Sequence, residues 1–264
     1  MGISFTIQNS KGGVSKSSST AAVCYELGKE YKVLAVDCDP QANLTAMLSI
    51  EPSSLDYNDT LAALMTDIIS FKDTDVKKHI IETEFNVDLL PTSRAMRGID
   101  KSLEQRDMRK EYVLKEIIDA VKNNYDFIFL DSGPTFSLLT INILVACDKV
   151  IIPLDLSEPA TRGMLDLIDS MQRINKYFNP SLQLDGVFFA RVKRGTVHST
   201  ETMVALQHAL EKNSIYVYNT FIPDSIKIFE AISNKEPIGH YDPKCTTAIA
   251  YKLFTEELLG RYNG

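Results

Sequence analysis

Cysteine is scarce in this chain. The 264 residues include four, Cys24, Cys38, Cys147 and Cys245, and none belongs to a CxxC pair. That spacing suits neither zinc nor an iron–sulfur cluster, and it leaves four reduced thiols used as small apolar residues. No apolar run approaches the ~18 residues that a membrane-spanning helix needs. The opening MGISFTIQNSKGG has neither a basic leader nor a long apolar core, so it does not read as a secretory signal. A cytoplasmic chain is expected. Basic residues are in deficit, 28 Lys and Arg against 35 Asp and Glu, for a formal net charge of -7. An acidic total excludes a protein that coats nucleic acid with its whole surface, though it leaves room for one local basic patch. Repeats, low-complexity tracts and Pro/Gly-rich linkers are all missing, so one domain over residues 1–264 is expected. The histidines, His79, His198, His208 and His240, are scattered and form no Ser/His/Asp or Cys/His arrangement.

What is present is alternation. Residues 3–8, 32–37, 126–131 and 149–154 read as buried strands, and 184–190 and 215–220 as weaker ones. Residues 16–29 are helix-forming and end near Gly28. Val113, Ile117, Ile118 and Val121 share one helical face, as do Met164, Leu167, Ile168 and Met171. Strand–helix alternation predicts an α/β fold, a twisted and mostly parallel sheet with helices on both faces. Residues 51–90 break the rhythm. They read as a polar excursion between strands, with weak helical stretches at 59–69 and 74–81. A last helix over about 245–260 places Ile249, Leu253 and Phe254 on one side, to pack on the sheet. Glu256 and Glu257 stand where a membrane-surface helix would want Lys or Arg.

The strongest signal lies between the first strand and the first helix, in Ser10-Lys11-Gly12-Gly13-Val14-Ser15-Lys16-Ser17-Ser18. A tight loop entering a helix N-terminus aims several backbone N–H groups at one point, and the helix dipole adds partial positive charge there. Glycine lets the backbone approach phosphates without a Cβ in the way. Lys16 supplies a cation for terminal phosphates, and the Ser17 hydroxyl is placed to ligate Mg²⁺. The general pattern GxxxxGK[ST] is partly met, with Ser10 and Ser15 at its glycine positions. A second element is Val36-Asp37-Cys38-Asp39-Pro40-Gln41 at the end of a strand. Carboxylates there face the crevice where ligands bind. One can serve a metal through water while the other orients an attacking water. The third is Phe127-Ile128-Phe129-Leu130-Asp131-Ser132-Gly133-Pro134, four apolar residues ending in an acid.

The leading Lys11 makes the loop resemble the deviant Walker A signature KGGxxKS of the ParA/MinD group. Residues 36–41 are similar to the VDxDPQ box of ParA proteins, and Asp131 with Pro134 to the family's DxxP. Looser likenesses follow at Ile151-Ile152-Pro153-Leu154 with Glu158, at Ile222-Pro223-Asp224-Ser225-Ile226-Lys227 with Glu230-Ala231, and at Tyr241-Asp242-Pro243-Lys244. The likeness spans nearly the whole chain, strongly over 9–46 and weakly over 51–110.

A ParA-type partition ATPase implies a P-loop NTPase-like fold with ATP and Mg²⁺ as cofactors. It implies a catalytic set of Lys11, Lys16 and Asp39, with Lys11 reaching across a dimer interface to the partner's nucleotide and Asp39 positioning water. Lys11 through Ser18, with Pro223 and Asp224, would bind ATP. Ser17, Asp37 and Asp131 would serve the metal. The resemblance further implies an ATP-state homodimer that binds DNA without sequence preference on the nucleoid, and a centromere-binding, ParB-like partner that stimulates slow hydrolysis. Candidate DNA contacts are Arg191, Lys193, Arg194 and Lys227, with Lys235 and Lys244 as weaker ones. No helix-turn-helix precedes the phosphate loop, so operator recognition is not expected.

Two departures stand out. Ser15 occupies a place where relatives keep Gly or Ala, at a cost of about 1 kcal/mol if φ is positive there. Asp224 replaces a frequent Arg, which weakens the transfer of a DNA contact to that position. A MinD-like membrane-associated positioning ATPase is the alternative. Enzymes related to dethiobiotin synthetase or cobyrinic-acid amidase commonly lack the leading lysine.

Overall fold

A computed structural model describes residues 2–193 and 197–262, with the backbone alone at 197 and 198. The elements run β1 (Ile3–Ile7), α1 (Lys16–Leu27), β2 (Val33–Asp37), α2 (Asn43–Met47), α3 (Leu61–Ile69), β3 (Ile81–Glu82), β4 (Asp88–Leu90), α4 (Ile99–Glu104), α5 (Val113–Val121), β5 (Phe127–Asp131), α6 (Leu138–Ala146), β6 (Lys149–Leu154), α7 (Glu158–Tyr177), β7 (Gln183–Phe189), α8 (Val197–Lys212), α9 (Ile226–Asn234), α10 (Ile238–Tyr241) and α11 (Thr246–Gly260). Among the described residues the strands form one seven-stranded sheet in the order β3-β4-β2-β5-β1-β6-β7. Every pairing is parallel except the short β3–β4 ribbon at the edge.

Alternation along each strand divides the core in two. Leu34, Val36, Ile128 and Leu130 face the layer built by α3–α8. Phe5, Ile7, Ala35 and Phe129 face the layer of α1, α2 and α9–α11. Parallel strands buried on both faces carry near-continuous apolar runs, which is why β2, β5 and β6 are legible from sequence. The register sets Asp37 beside Asp131 at the C-terminal ends of β2 and β5. Thus the sheet itself gathers the acids.

Three expectations need correction. Residues 51–90 are not merely an excursion. They contain β4, which pairs with β2 inside the sheet, while the stretch at 74–81 supplies only a 3₁₀ turn, Val76–His79. Residues 215–220 form no strand and make a single bridge, Val187 to Val217. The reason lies in their donors. The N–H groups of Asn219 and Thr220 go to the Glu257 carboxylate, at 2.7 and 3.0 Å, so no ladder can extend. On α11 the buried residues include Ala248, Tyr251, Phe254 and Leu258, whereas Ile249 and Leu253 are exposed. Glu257 is a structural acceptor there as well as a surface acid.

Asp185 on β7 joins the end of the chain to the sheet. Its buried carboxylate accepts from the hydroxyls of Tyr218 and Tyr262, and Arg261 donates to its backbone carbonyl at 3.0 Å. Removing one member of a buried polar network strands its partners. Asp185→Ala therefore lowers the unfolding free energy by about 2–4 kcal/mol in urea titration. A loss below about 1 kcal/mol would show that these partners re-pair with water.

Candidate functional site

The loop after β1 is built to be held open. Val14 is fully buried and anchors it from below. Gly13 has φ of 76° and Ser15 has φ of 69°, so two of its residues sit in the left-handed region. For Ser15 this costs about 1 kcal/mol, the strain that its sequence position made conditional. Asn9 braces the entry. Its Nδ2 donates to the Pro153 carbonyl at 2.9 Å and its Oδ1 accepts the Lys11 N–H at 3.0 Å. A Cβ at Gly163 on α7 would lie 2.8 Å from Asn9 Oδ1 and 3.2 Å from the Lys11 nitrogen, so only glycine lets α7 lie against this turn.

Lys16 opens α1 and is 6% exposed. Its Nζ donates to the carbonyls of Asn9 at 3.2 Å and Lys11 at 3.3 Å. Burial pulls its pKa below the usual lysine range, against the opposing charges of Asp131 and Asp39. Lys11 points elsewhere. Its ammonium donates to Asp155 Oδ2 at 2.6 Å and to Ser157 Oγ at 2.8 Å. Partial burial raises the Asp155 carboxyl, but the hydrogen bonds it accepts from Lys11 and Ser157 hold it below its usual range.

Three carboxylates meet at the strand ends. Asp37 accepts the Asp39 N–H at 3.0 Å and both donors of Thr45, N–H at 2.8 Å and Oγ1 at 2.7 Å. Asp39 Oδ1 accepts the Gln41 N–H at 2.9 Å, and a Cβ at Gly133 would sit 3.4 Å from that same oxygen. Asp131 is fully buried, and neither of its oxygens has a hydrogen-bond partner. Burial first, and then the Asp37 charge, push its carboxyl well above the usual range, and the Ser17 hydroxyl opposes this without reaching bonding geometry. Cys38, between Asp37 and Asp39, is pushed up by burial and by the same acids, so its thiol stays neutral.

An orphaned buried carboxylate beside two more acids calls for a cation. The donor set suits Mg²⁺, which keeps several waters and takes one or two carboxylates with substrate phosphates. Among the described residues no group of three or more His, Cys, Asp or Glu side chains is poised to enclose a metal by itself. Ser17, Asp37 and Asp131 are the residues that would hold it.

A cleft of about 410 Å³ opens above these groups. Its phosphate-loop wall includes Gly12, Gly13 and Ser15 to Ser18, and its far wall includes Pro223, Asp224 and Ser225. Met47, Ile228, Phe229 and Ile232 give it an apolar end suited to a planar base. Of the predicted nucleotide residues, Gly12, Gly13, Ser15 to Ser18, Pro223 and Asp224 converge on this cleft, whereas Val14 is buried beneath the loop and Lys11 is turned to Asp155. The DNA candidates do not converge equally. Arg191 lines the cleft, donating from Nη1 to the Gly13 carbonyl at 2.7 Å and from Nε to Asp224 at 3.4 Å. Lys227 pairs with Glu230 at 2.8 Å, Lys193 is exposed, and Arg194 lies outside the described residues. Of the weaker candidates, Lys235 pairs with Glu51 and Lys244 is exposed. Sequence reasoning missed Asn9, Thr45, Asp155 and Gly163. Asn9, two residues before Lys11, carries the Asx-turn signal that would have found it.

A phosphate loop joining the first strand of a parallel sheet to its first helix, with acids from two neighbouring strands facing it, defines a P-loop nucleotide-binding protein. A family model described as "AAA domain" matches residues 3–184. The sporulation initiation inhibitor protein Soj of Bacillus subtilis is 33% identical, with 98% of each chain covered. The chromosome-partitioning ATPase Soj of Treponema pallidum is 32% identical, over 99% of this chain and 98% of that one. Among solved structures, cobyrinic acid a,c-diamide synthase of Mycobacterium smegmatis with bound ADP and magnesium superposes with a TM-score of 0.84 at 25% identity, covering 100% of this chain and 96% of that one. The chain belongs to the ParA-type partition ATPases.

Proposed function

We propose that this chain is an ATP-dependent switch for plasmid or chromosome partition, forming a dimer in the ATP state that binds DNA without sequence preference. The observation that carries the reading is the phosphate loop itself: Gly12, Gly13 and Ser15 to Ser18 line one cleft with Asp39, and Lys11 leads that loop with its ammonium on Asp155. Lys16 and the loop N–H groups bind the phosphates. Asp37 and Asp131, with Ser17, are the residues that would hold Mg²⁺, which would supply charge neutralisation for phosphoryl transfer. Asp39 orients the attacking water. Lys11 leaves Asp155 and reaches the nucleotide of a second copy. The relatives named for partition support this class over the amide-forming one, which shares the fold but is named for different chemistry. A ParB-like centromere-binding protein then raises a slow intrinsic rate.

DNA contact falls to Lys193, Arg194 and Lys227, doubled by dimerisation. Phosphate neutralisation makes such binding steeply salt-dependent. Among the described residues no helix is long and apolar enough to cross a membrane. A peripheral, MinD-like reading is tested beside the main one. In a gel-shift series at rising salt, the protein retards DNA with ATP and not with ADP, whereas anionic vesicles float without it. Lys11→Ala loses both ATP-dependent retardation and the ATP-dependent increase in light-scattering mass. Equal retardation in ADP, or an unchanged mass increase in Lys11→Ala, would sink the switch.

A further inference from the structure

Resting on the nucleotide site above, we propose that Arg191 is a positioning residue for nucleotide, tying the phosphate loop to the far wall of the cleft, and not a DNA contact. One guanidinium spans the two walls. It donates to the Gly13 carbonyl at 2.7 Å on one side and to the Asp224 carboxylate at 3.4 Å on the other. A guanidinium offers five N–H donors in a rigid fork, a geometry that one ammonium does not reproduce. The Gly13 bond matters for the loop's function. A trans peptide points its C=O and N–H in opposite directions. Turning the Gly13 carbonyl to Arg191 therefore fixes the Gly13–Val14 peptide plane, in the middle of the loop that the site above assigns to phosphate.

The backbone is arranged for this aim. Arg191 has φ of 55°, a left-handed conformation that is unfavourable for a residue with a side chain. Its neighbours keep it there. Ala190 donates to the Leu154 carbonyl at 2.9 Å, Val192 donates to Ile222 at 3.0 Å, and Asp224 donates back to Val192 at 3.0 Å. Strain that is over-determined in this way, at the rim of a ligand cleft, belongs to a residue whose direction matters. A DNA contact needs no such aim, because phosphate neutralisation is tolerant of geometry. The side chain is also committed, to a carbonyl and a carboxylate, before any nucleic acid arrives.

The test uses the full chain and three variants, Arg191→Ala, Arg191→Lys and Asp224→Asn, with a fluorescent ADP analogue and with ATP. Arg191→Ala weakens analogue binding by about tenfold without DNA present. It raises the KM for ATP by a similar factor and leaves kcat at saturating ATP within about twofold. Arg191→Lys keeps the charge but loses the bridge, so it stays closer to alanine than to wild type. Asp224→Asn shifts affinity the same way by a smaller factor. At saturating ATP the slope of log DNA affinity against log salt is unchanged in Arg191→Ala. A slope reduced by about one per arginine lost, with nucleotide affinity at the wild-type value, would return Arg191 to the DNA surface and overturn the assignment. Full rescue by lysine would overturn it too. A wild-type chain that binds neither nucleotide would instead remove the underlying site.

Discussion

Lys16→Ala lowers the affinity for Mg²⁺-ATP by about two to three orders of magnitude. The ammonium is buried at the first turn of α1, and its hydrogen-bond acceptors are two backbone carbonyls at 3.2 and 3.3 Å. Two carbonyls are poor compensation for a desolvated cation, as its lowered pKa records. Nucleotide phosphates would complete the pairing. Each charge-assisted hydrogen bond contributes about 1.5–3 kcal/mol, and losing two at about 1.5–2 kcal/mol each, the lower part of that range, removes about 3–4 kcal/mol of binding. Titration calorimetry measures the loss, and the unfolding midpoint of the nucleotide-free variant reports whether it folds. An affinity within fivefold of wild type would mean that the loop N–H groups alone hold the phosphates.

Asp39→Ala should do the opposite, retaining ATP and losing turnover. Asp39 is 6% exposed and lines the cleft. Its carboxylate is held by the Gln41 N–H, and its own N–H by Asp37, so it is aimed before substrate arrives. A positioned base or water-orienting group contributes typically 10²–10⁴-fold, and a loss of about 10²-fold or more in single-turnover phosphate release is expected. ATP affinity changes little, and the proposed ATP-state dimer is expected to persist for correspondingly longer. Asp39→Asn keeps an acceptor for Gln41 and separates the loss of charge from the loss of that bond. Normal phosphate release in the alanine variant would remove Asp39 from the chemistry.

The elements of the candidate site were legible because they are local. Residues 10–18, 36–41 and 127–134 are short, each ends a buried strand, and a parallel sheet brings strand ends together. What the sequence hid depends on distant partners. β4 has three residues and no alternation long enough to read, and it exists because β2 offers it an edge. Val217 and its neighbours look strand-like, yet Glu257 on α11 takes their donors. Ile249 and Leu253 share a helical stripe with Phe254, but the sheet accepts a different face of α11. Arg191 reads as part of a basic cluster, and only the fold reveals Gly13 and Asp224 at either end of it. Lys11 was legible as a residue and illegible as a contact, since Asp155 lies 144 positions away.

The left-handed serine in the phosphate loop has a second effect. Glycine roams over both halves of φ space, and serine does not. With Ser15 at φ of 69°, the nucleotide-free loop has fewer alternative shapes to abandon when phosphate arrives. Order established beforehand reduces the entropy lost on capture. The strain raises the energy of the folded chain once, whereas the restriction acts at every exchange of nucleotide.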